Sequence, residues 1–137
     1  MFKRIPIVVA LSALMVLLLS QAGSAAISRN TIDPNGRLGR DGRVVVLTGP
    51  IECTRGDSLR VQLSVTQAST GASASGSTRL HCTGSLQQWT ARLYTRGTSF
   101  EEGHSEVCAS GLTRQAMTIT DTRQWCAANG VFLHGGR

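Results

Sequence analysis

Between Leu59 and Thr66 apolar and polar residues alternate without a break. Leu59, Val61, Leu63 and Val65 share one face; Arg60, Gln62, Ser64 and Thr66 share the other. A period of two marks a strand with one buried face. The same alternation recurs in shorter stretches. In Thr78–Cys82, Leu80 and Cys82 share a face. Trp89, Ala91 and Leu93 alternate with Thr90, Arg92 and Tyr94, then Ser105, Val107 and Ala109 with His104, Glu106 and Cys108, and Met117 and Ile119 with Thr118 and Thr120. Val44–Thr48 is a β-branched run closed by Gly49-Pro50, and Pro50 predicts an edge or bent strand there. Residues 27–42 carry Asp33-Pro34-Asn35-Gly36 and Asp41-Gly42, which predict tight turns around a short edge strand. The small residues at 68–77 predict a loop. Asn129-Gly130, between Cys126 and Val131-Phe132-Leu133, predicts a two-residue hairpin. No helical period is sustained after residue 26. About seven or eight short strands predict an all-β fold, an antiparallel β-sandwich.

The first 26 residues follow a different rule. Lys3 and Arg4 precede an apolar run from Ile5 to Leu19, and small residues follow from Ser20 to Ala26. This is the pattern of a signal-peptide helix cleaved after Ala26, with Ser24 and Ala26 meeting the small-x-small rule. The run falls short of the ~20 residues that a spanning helix needs. The chain is therefore expected to be secreted, with residues 27–137 forming one domain. Four cysteines in a small exported chain imply two disulfides. Four cysteines allow three pairings, and strand parity selects among them. Cys53 shares the parity of Ile51 and Cys82 that of Leu80, so both point inward and are expected to pair, with Trp89 packed on the bridge. Cys108 and Cys126 take the outward parity and are expected to form a second bridge between neighbouring strands. Trp125, of inward parity, is expected to pack at the end of the fold beside the Asn-Gly turn.

Several of these residues also carry a family resemblance. Asp33-Pro34-Asn35-Gly36, Asp41-Gly42, Val44-Val45-Val46, Gly49, Cys53-Thr54-Arg55-Gly56-Asp57, Gln67 and Cys82-Thr83-Gly84-Ser85 followed by Trp89 resemble a group of small secreted bacterial domains of unknown function. The group is frequent in actinobacteria. The resemblance spans roughly residues 31–121 by the pattern that places the strands, and implies an immunoglobulin-like β-sandwich. The group has no assigned activity. The second cysteine pair and the tail from Gln124 to Arg137 depart from it.

Charge narrows the functional classes. The net charge is +6, and removal of Lys3, the only lysine, with Arg4 leaves twelve arginines against eight acids. The arginines are scattered rather than clustered in runs, so nucleic-acid binding is not expected. No Gly-x-Ser-x-Gly elbow is present, and the nearest string, Gly71 to Ser75, sits in the expected loop, so no enzyme is expected and a small hydrolase is the weakest of the readings. His104 and Glu106 share an outward strand face, with His81 expected across the sheet from them, but no recognised metal-ligand spacing occurs, so no metal or cofactor is expected. Arg55-Gly56-Asp57 matches a tripeptide read by integrins and is read as a turn. The strongest candidate is a basic sheet face formed by Arg60, Arg79 and Arg92 with Gln62, His81 and Tyr94. Arginine forks suit carboxylates, phosphates or sulfates, and Tyr94 suits sugar stacking. The expected role is a non-catalytic binding or structural module of unknown ligand, with a cell-surface polysaccharide or a secreted protein as the candidate partner and a membrane met only by the signal peptide before cleavage. Inhibition of another secreted protein through a loop is the second reading.

Overall fold

The computed structural model describes residues 26–135 of the 137-residue chain. The expected signal peptide lies outside the described residues except for Ala26, whose carbonyl accepts a hydrogen bond from the Thr54 N–H at 3.0 Å. Nine strands follow in order: β1 (Ile27–Ser28), β2 (Asn35–Leu38), β3 (Val44–Cys53), β4 (Ser58–Gln67), β5 (Ala72–His81), β6 (Leu86–Tyr94), β7 (Gly103–Gln115), β8 (Thr118–Cys126) and β9 (Val131–His134). A single 3-10 turn, Arg40–Gly42, joins β2 to β3. The all-β expectation holds, and there is no α-helix among the described residues.

The immunoglobulin-like sandwich does not hold. The strands close into a seven-stranded barrel, β3-β2-β9-β7-β4-β5-β6 and back to β3, with β1 paired to β3 and β8 paired to β7. Two contacts complete the ring. β2 runs parallel to β9, aligning Asn35 with Phe132 and Arg37 with His134. β5 meets β6 at Ser75 and Tyr94. In a sandwich these strands would be free edges; here both ends of the domain are drawn into one ring, which removes the edges.

Alternation fills the interior. Val45, Leu47, Ile51, Leu59, Val61, Leu63, Val65, Leu93, Val107, Val131 and Leu133 are all buried, while Arg60, Gln62, Ser64 and Thr66 point to solvent. Small residues make room for the two large rings. Gly49 lies opposite Trp89, and a Cβ there would meet the Trp89 ring at 2.6 Å. Gly111 lies under Trp125, where a Cβ would meet the ring at 2.9 Å. Glycine is needed at both places for want of space, not for backbone conformation. Gln67, fully buried, ties the end of β4 to the loop before β7: its amide donates to the Glu101 and His104 carbonyls, and its Oε1 accepts from the Glu101 N–H and the Thr70 hydroxyl.

Three local expectations are corrected. Residues 72–77 are strand, not loop: Ala72 and Ala74 are buried, Ser73 and Ser75 exposed, and β5 pairs with β4 from Gln67↔Ala72 to Ser58↔His81. The alternation is real, but alanine against serine hardly registers as apolar against polar. The actual turn is Ala68–Gly71, closed by the Gly71 N–H on the Gln67 carbonyl at 2.8 Å. Pro50 does not put β3 on an edge. β3 pairs with β6 along one side, and on the other with β2 at Val45–Val46 and with β1 at Glu52–Cys53. Pro50 falls in the gap between those two ladders, where only its carbonyl is asked to bond, to the Thr31 N–H. Asn129-Gly130 turns the chain without making a hairpin. β8 and β9 lie end to end against β7, β8 on residues 108–115 and β9 on residues 103–105, and do not pair with each other.

Both disulfides join the expected partners. Cys53–Cys82 is buried in the core cluster that contains Trp89, and Cys108–Cys126 joins directly opposite residues of β7 and β8 on the outer face. Trp125 packs half-buried against the core, as its parity predicts.

The β1–β8 seam is held by one charged hydrogen bond. The Ile27 N–H donates to Asp121 Oδ2 at 3.0 Å, and Arg123 Nε sits 3.5 Å from the same oxygen. The Ile27 bond first, then the Thr122 N–H and Arg123, hold the Asp121 carboxyl below its usual range against the opposing effect of burial. A carboxyl lowered in the folded state stabilises the fold above its unfolded pKa, and that stability is lost as pH falls through the folded value. Asp121→Asn should therefore cost about 1 kcal/mol at pH 7, the difference between a charged and a neutral hydrogen bond. The gap to wild type should close as pH drops below the ordinary aspartate value of about 3.9. Thermal melts from pH 7 to 2 check this; a constant gap would locate the effect in packing.

Candidate functional site

The outer surface of β5, β4, β7 and β8 forms a groove of about 970 Å³. Register explains its composition. Outward residues stack in rows across the four strands. One row runs Ser77, Gln62, Ser110, Gln124; the next Arg79, Arg60, Leu112, Thr122; the last His81, Ser58, Arg114, Ile119. Arg79 lies directly across from Arg60, and Arg114 lies diagonally from Arg60 on the other side. Directly opposite residues have Cβ atoms about 4.5–5.5 Å apart. All three arginines are exposed, and no acidic residue lines the groove. The ion pairs found among the described residues are Arg29–Glu52 and Arg123–Asp121. Arg123 also lines the groove, and it is the one arginine there with an acidic partner.

Of the predicted face, Arg60, Arg79 and His81 are brought together, with Gln62 beside them. Arg92 and Tyr94 are not. They lie on β6, opposite Val46 and Val44 of β3; the β6 backbone ladders with β5 only at Ser75–Tyr94, and at the His81 end the two strands are joined by the Gln87 amide on the His81 carbonyl. The three arginine strands do lie side by side in the ring, but a shared face needs a continuous β4-β5-β6 ladder, and the β5–β6 ladder is a single pair. The groove therefore has no Phe, Trp or Tyr side chain, and the expected stacking role of Tyr94 does not belong to it.

The residue missed is Arg114. β7 continues to Gln115, with Gly111 and Thr113 buried on its inner face and Ser110, Leu112 and Arg114 facing out. Glycine and threonine at inward positions interrupt the apolar alternation, so the strand reads as ending at Ala109. The outward run Ser110, Leu112, Arg114 is the same parity continued, which is the signal available.

Other candidate groups are scattered. His81 pairs with Ser58 and Glu106 with Thr66 along β4, eight residues or about 27 Å apart at 3.4 Å per residue, so His81 cannot join His104 and Glu106. No group of three potential metal ligands occurs among the described residues. Asp57 of the Arg-Gly-Asp turn is 2% exposed, and its carboxylate accepts from the Thr120 hydroxyl at 2.8 Å. Gly56 adopts φ +92 to make that turn, so the tripeptide is structural and its acid is not presented.

Residues 26–128 match the model of a family described as a family of unknown function (DUF6299). No curated protein matches the chain.

Proposed function

We propose a role from the surface of this chain, because it belongs to the family of unknown function DUF6299 and no activity comes with that membership. The proposed role is an exported, non-catalytic binding module that holds an anionic ligand in the β5-β4-β7-β8 groove. One observation carries it: Arg79 directly across the ladder from Arg60, with Arg114 on the diagonal and no acid in the lining. Like charges directly opposite destabilise a sheet, by roughly 0.2–1 kcal/mol. A pair kept at that cost is explained by a ligand that supplies the missing negative charge. Guanidinium forks favour carboxylate, phosphate or sulfate oxygens, and Gln62, Gln124 and Ser110 offer neutral hydrogen bonds beside them. Two disulfides agree with an extracellular location, and the N-terminal signal pattern supports export.

The test is binding to dextran sulfate, a soluble polyanion, across a salt series. Wild type should bind, and weaken steeply as salt rises. Arg60→Ala or Arg79→Ala should each weaken binding about tenfold or more, since a charge-assisted hydrogen bond contributes roughly 1.5–3 kcal/mol. Arg92→Ala should change nothing. Arg79→Ala should also leave the free protein as stable as wild type or slightly more so, because it relieves the repulsion. Unchanged binding in both groove variants would overturn the assignment.

A further inference from the structure

The β7–β8 hairpin extends from this groove and ends unusually. Gln115 pairs with Thr118, leaving Ala116-Met117 as a two-residue turn. Ala116 has φ 55, a left-handed conformation that favours glycine or asparagine. Met117 is 96% exposed. Ile119, directly across from Arg114, is 53% exposed. A tip shaped only for water would carry Gly, Asn or Asp; this one accepts backbone strain and leaves two large apolar side chains in solvent. Ile119 stands in the row of Arg114 and His81 and Met117 beyond it, with Arg60 and Arg79 one row behind.

We propose that the hairpin tip and the groove together dock on a membrane surface rich in anionic lipid. The inference rests on the anion-binding reading of the groove and names its ligand as lipid headgroups. At about 3.4 Å per residue, Arg114 lies two levels, about 7 Å, behind Met117 along the strand axis. The headgroup layer is about 5–8 Å thick on each side of the hydrocarbon. With Met117 at the hydrocarbon boundary, Arg114 and His81 reach the outer headgroup level. Arg60 and Arg79 then stand within about one Debye length of the headgroup charges. A soluble polysaccharide would use the arginines but has no need of exposed Met117 and Ile119, and the groove offers it no Phe, Trp or Tyr ring to stack on.

Residues 26–137 contain the whole described barrel and its core, so they serve as the test protein without the apolar N-terminal run. Sedimentation with vesicles of phosphatidylcholine alone should leave the protein in solution, while vesicles with about 30% phosphatidylglycerol should carry it down. Met117→Ser with Ile119→Ser should lose about tenfold or more of the vesicle binding and keep dextran sulfate binding. Arg79→Ala should weaken both. Vesicle binding unchanged by the hairpin substitutions would overturn the docking proposal and leave the groove reading standing. Dextran sulfate binding without vesicle binding would also overturn it, in favour of a polysaccharide. Failure of wild type to bind either would overturn both readings.

Discussion

Trp89→Ala should destabilise the fold by about 3–5 kcal/mol, the usual cost of emptying a core aromatic site. Trp89 is 1% exposed, and its ring fills the space that Gly49 leaves open on the facing strand. Neighbouring residues cannot collapse into the gap, because β3 and β6 are held in register over nine pairs. Against a total of roughly 5–15 kcal/mol for a domain, the loss takes a large share of the stability. Urea titration at pH 7 should show the midpoint fall with little change in slope. Gly49→Ala should be comparably harmful from the other side, since its Cβ would meet both the Trp89 ring and the Thr31 carbonyl. The two substitutions share one site, so their effects should not add. A Trp89→Ala loss under about 1 kcal/mol would mean that the ring is not a core element.

Replacing Cys53 and Cys82 together with alanine should cost more than replacing Cys108 and Cys126. The bridges close sequence separations of 29 and 18 residues. In the chain-entropy account either contributes about 3–4 kcal/mol, so loop length hardly distinguishes them. The native environment does. Cys53 and Cys82 are 2% and 4% exposed within the core, whereas Cys108 and Cys126 lie on the solvent face. Losing the inner bridge removes packed sulfur as well as the constraint. It also frees the end of the barrel where the Gly56 N–H bonds the Cys82 carbonyl and the Gly84 N–H bonds the Cys53 carbonyl. Denaturant midpoints of the two double variants, compared under non-reducing conditions, check the order. Equal losses would mean that chain entropy alone accounts for both bridges.

The candidate site was half legible. Arg60 and Arg79 carry the outward parity of clear strands, and the hairpin that joins β4 and β5 makes them neighbours, so local pattern sufficed. Arg92 has the same parity and β6 lies beside β5 in the ring, but parity says nothing about how far two neighbouring strands stay laddered, and these two pair only at Ser75–Tyr94. Arg114 was hidden because the inward positions before it hold Gly111, kept small by the Trp125 ring above it, and Thr113, whose hydroxyl bonds that of Thr120 at 2.8 Å. A tertiary contact had replaced the apolar residue that the pattern needs. Ala72 and Ala74 show the converse: genuine core positions on β5 whose side chains are too small to be recognised as such.

The alternation of side chains is a property of the backbone pleat, so the sequence by itself determined most of the strands, their buried faces and, through the parity of the four cysteines, both disulfides. It did not determine closure. A sandwich and a barrel place the same alternating residues inward, and they differ in which edges meet. Here those meetings are the parallel contact of β2 with β9, from opposite ends of the domain, and the single pair between β5 and β6. Such pairings bond through backbone groups that every residue carries, so no side-chain pattern announces them. The tertiary structure alone decided them, and with them which arginines share a groove.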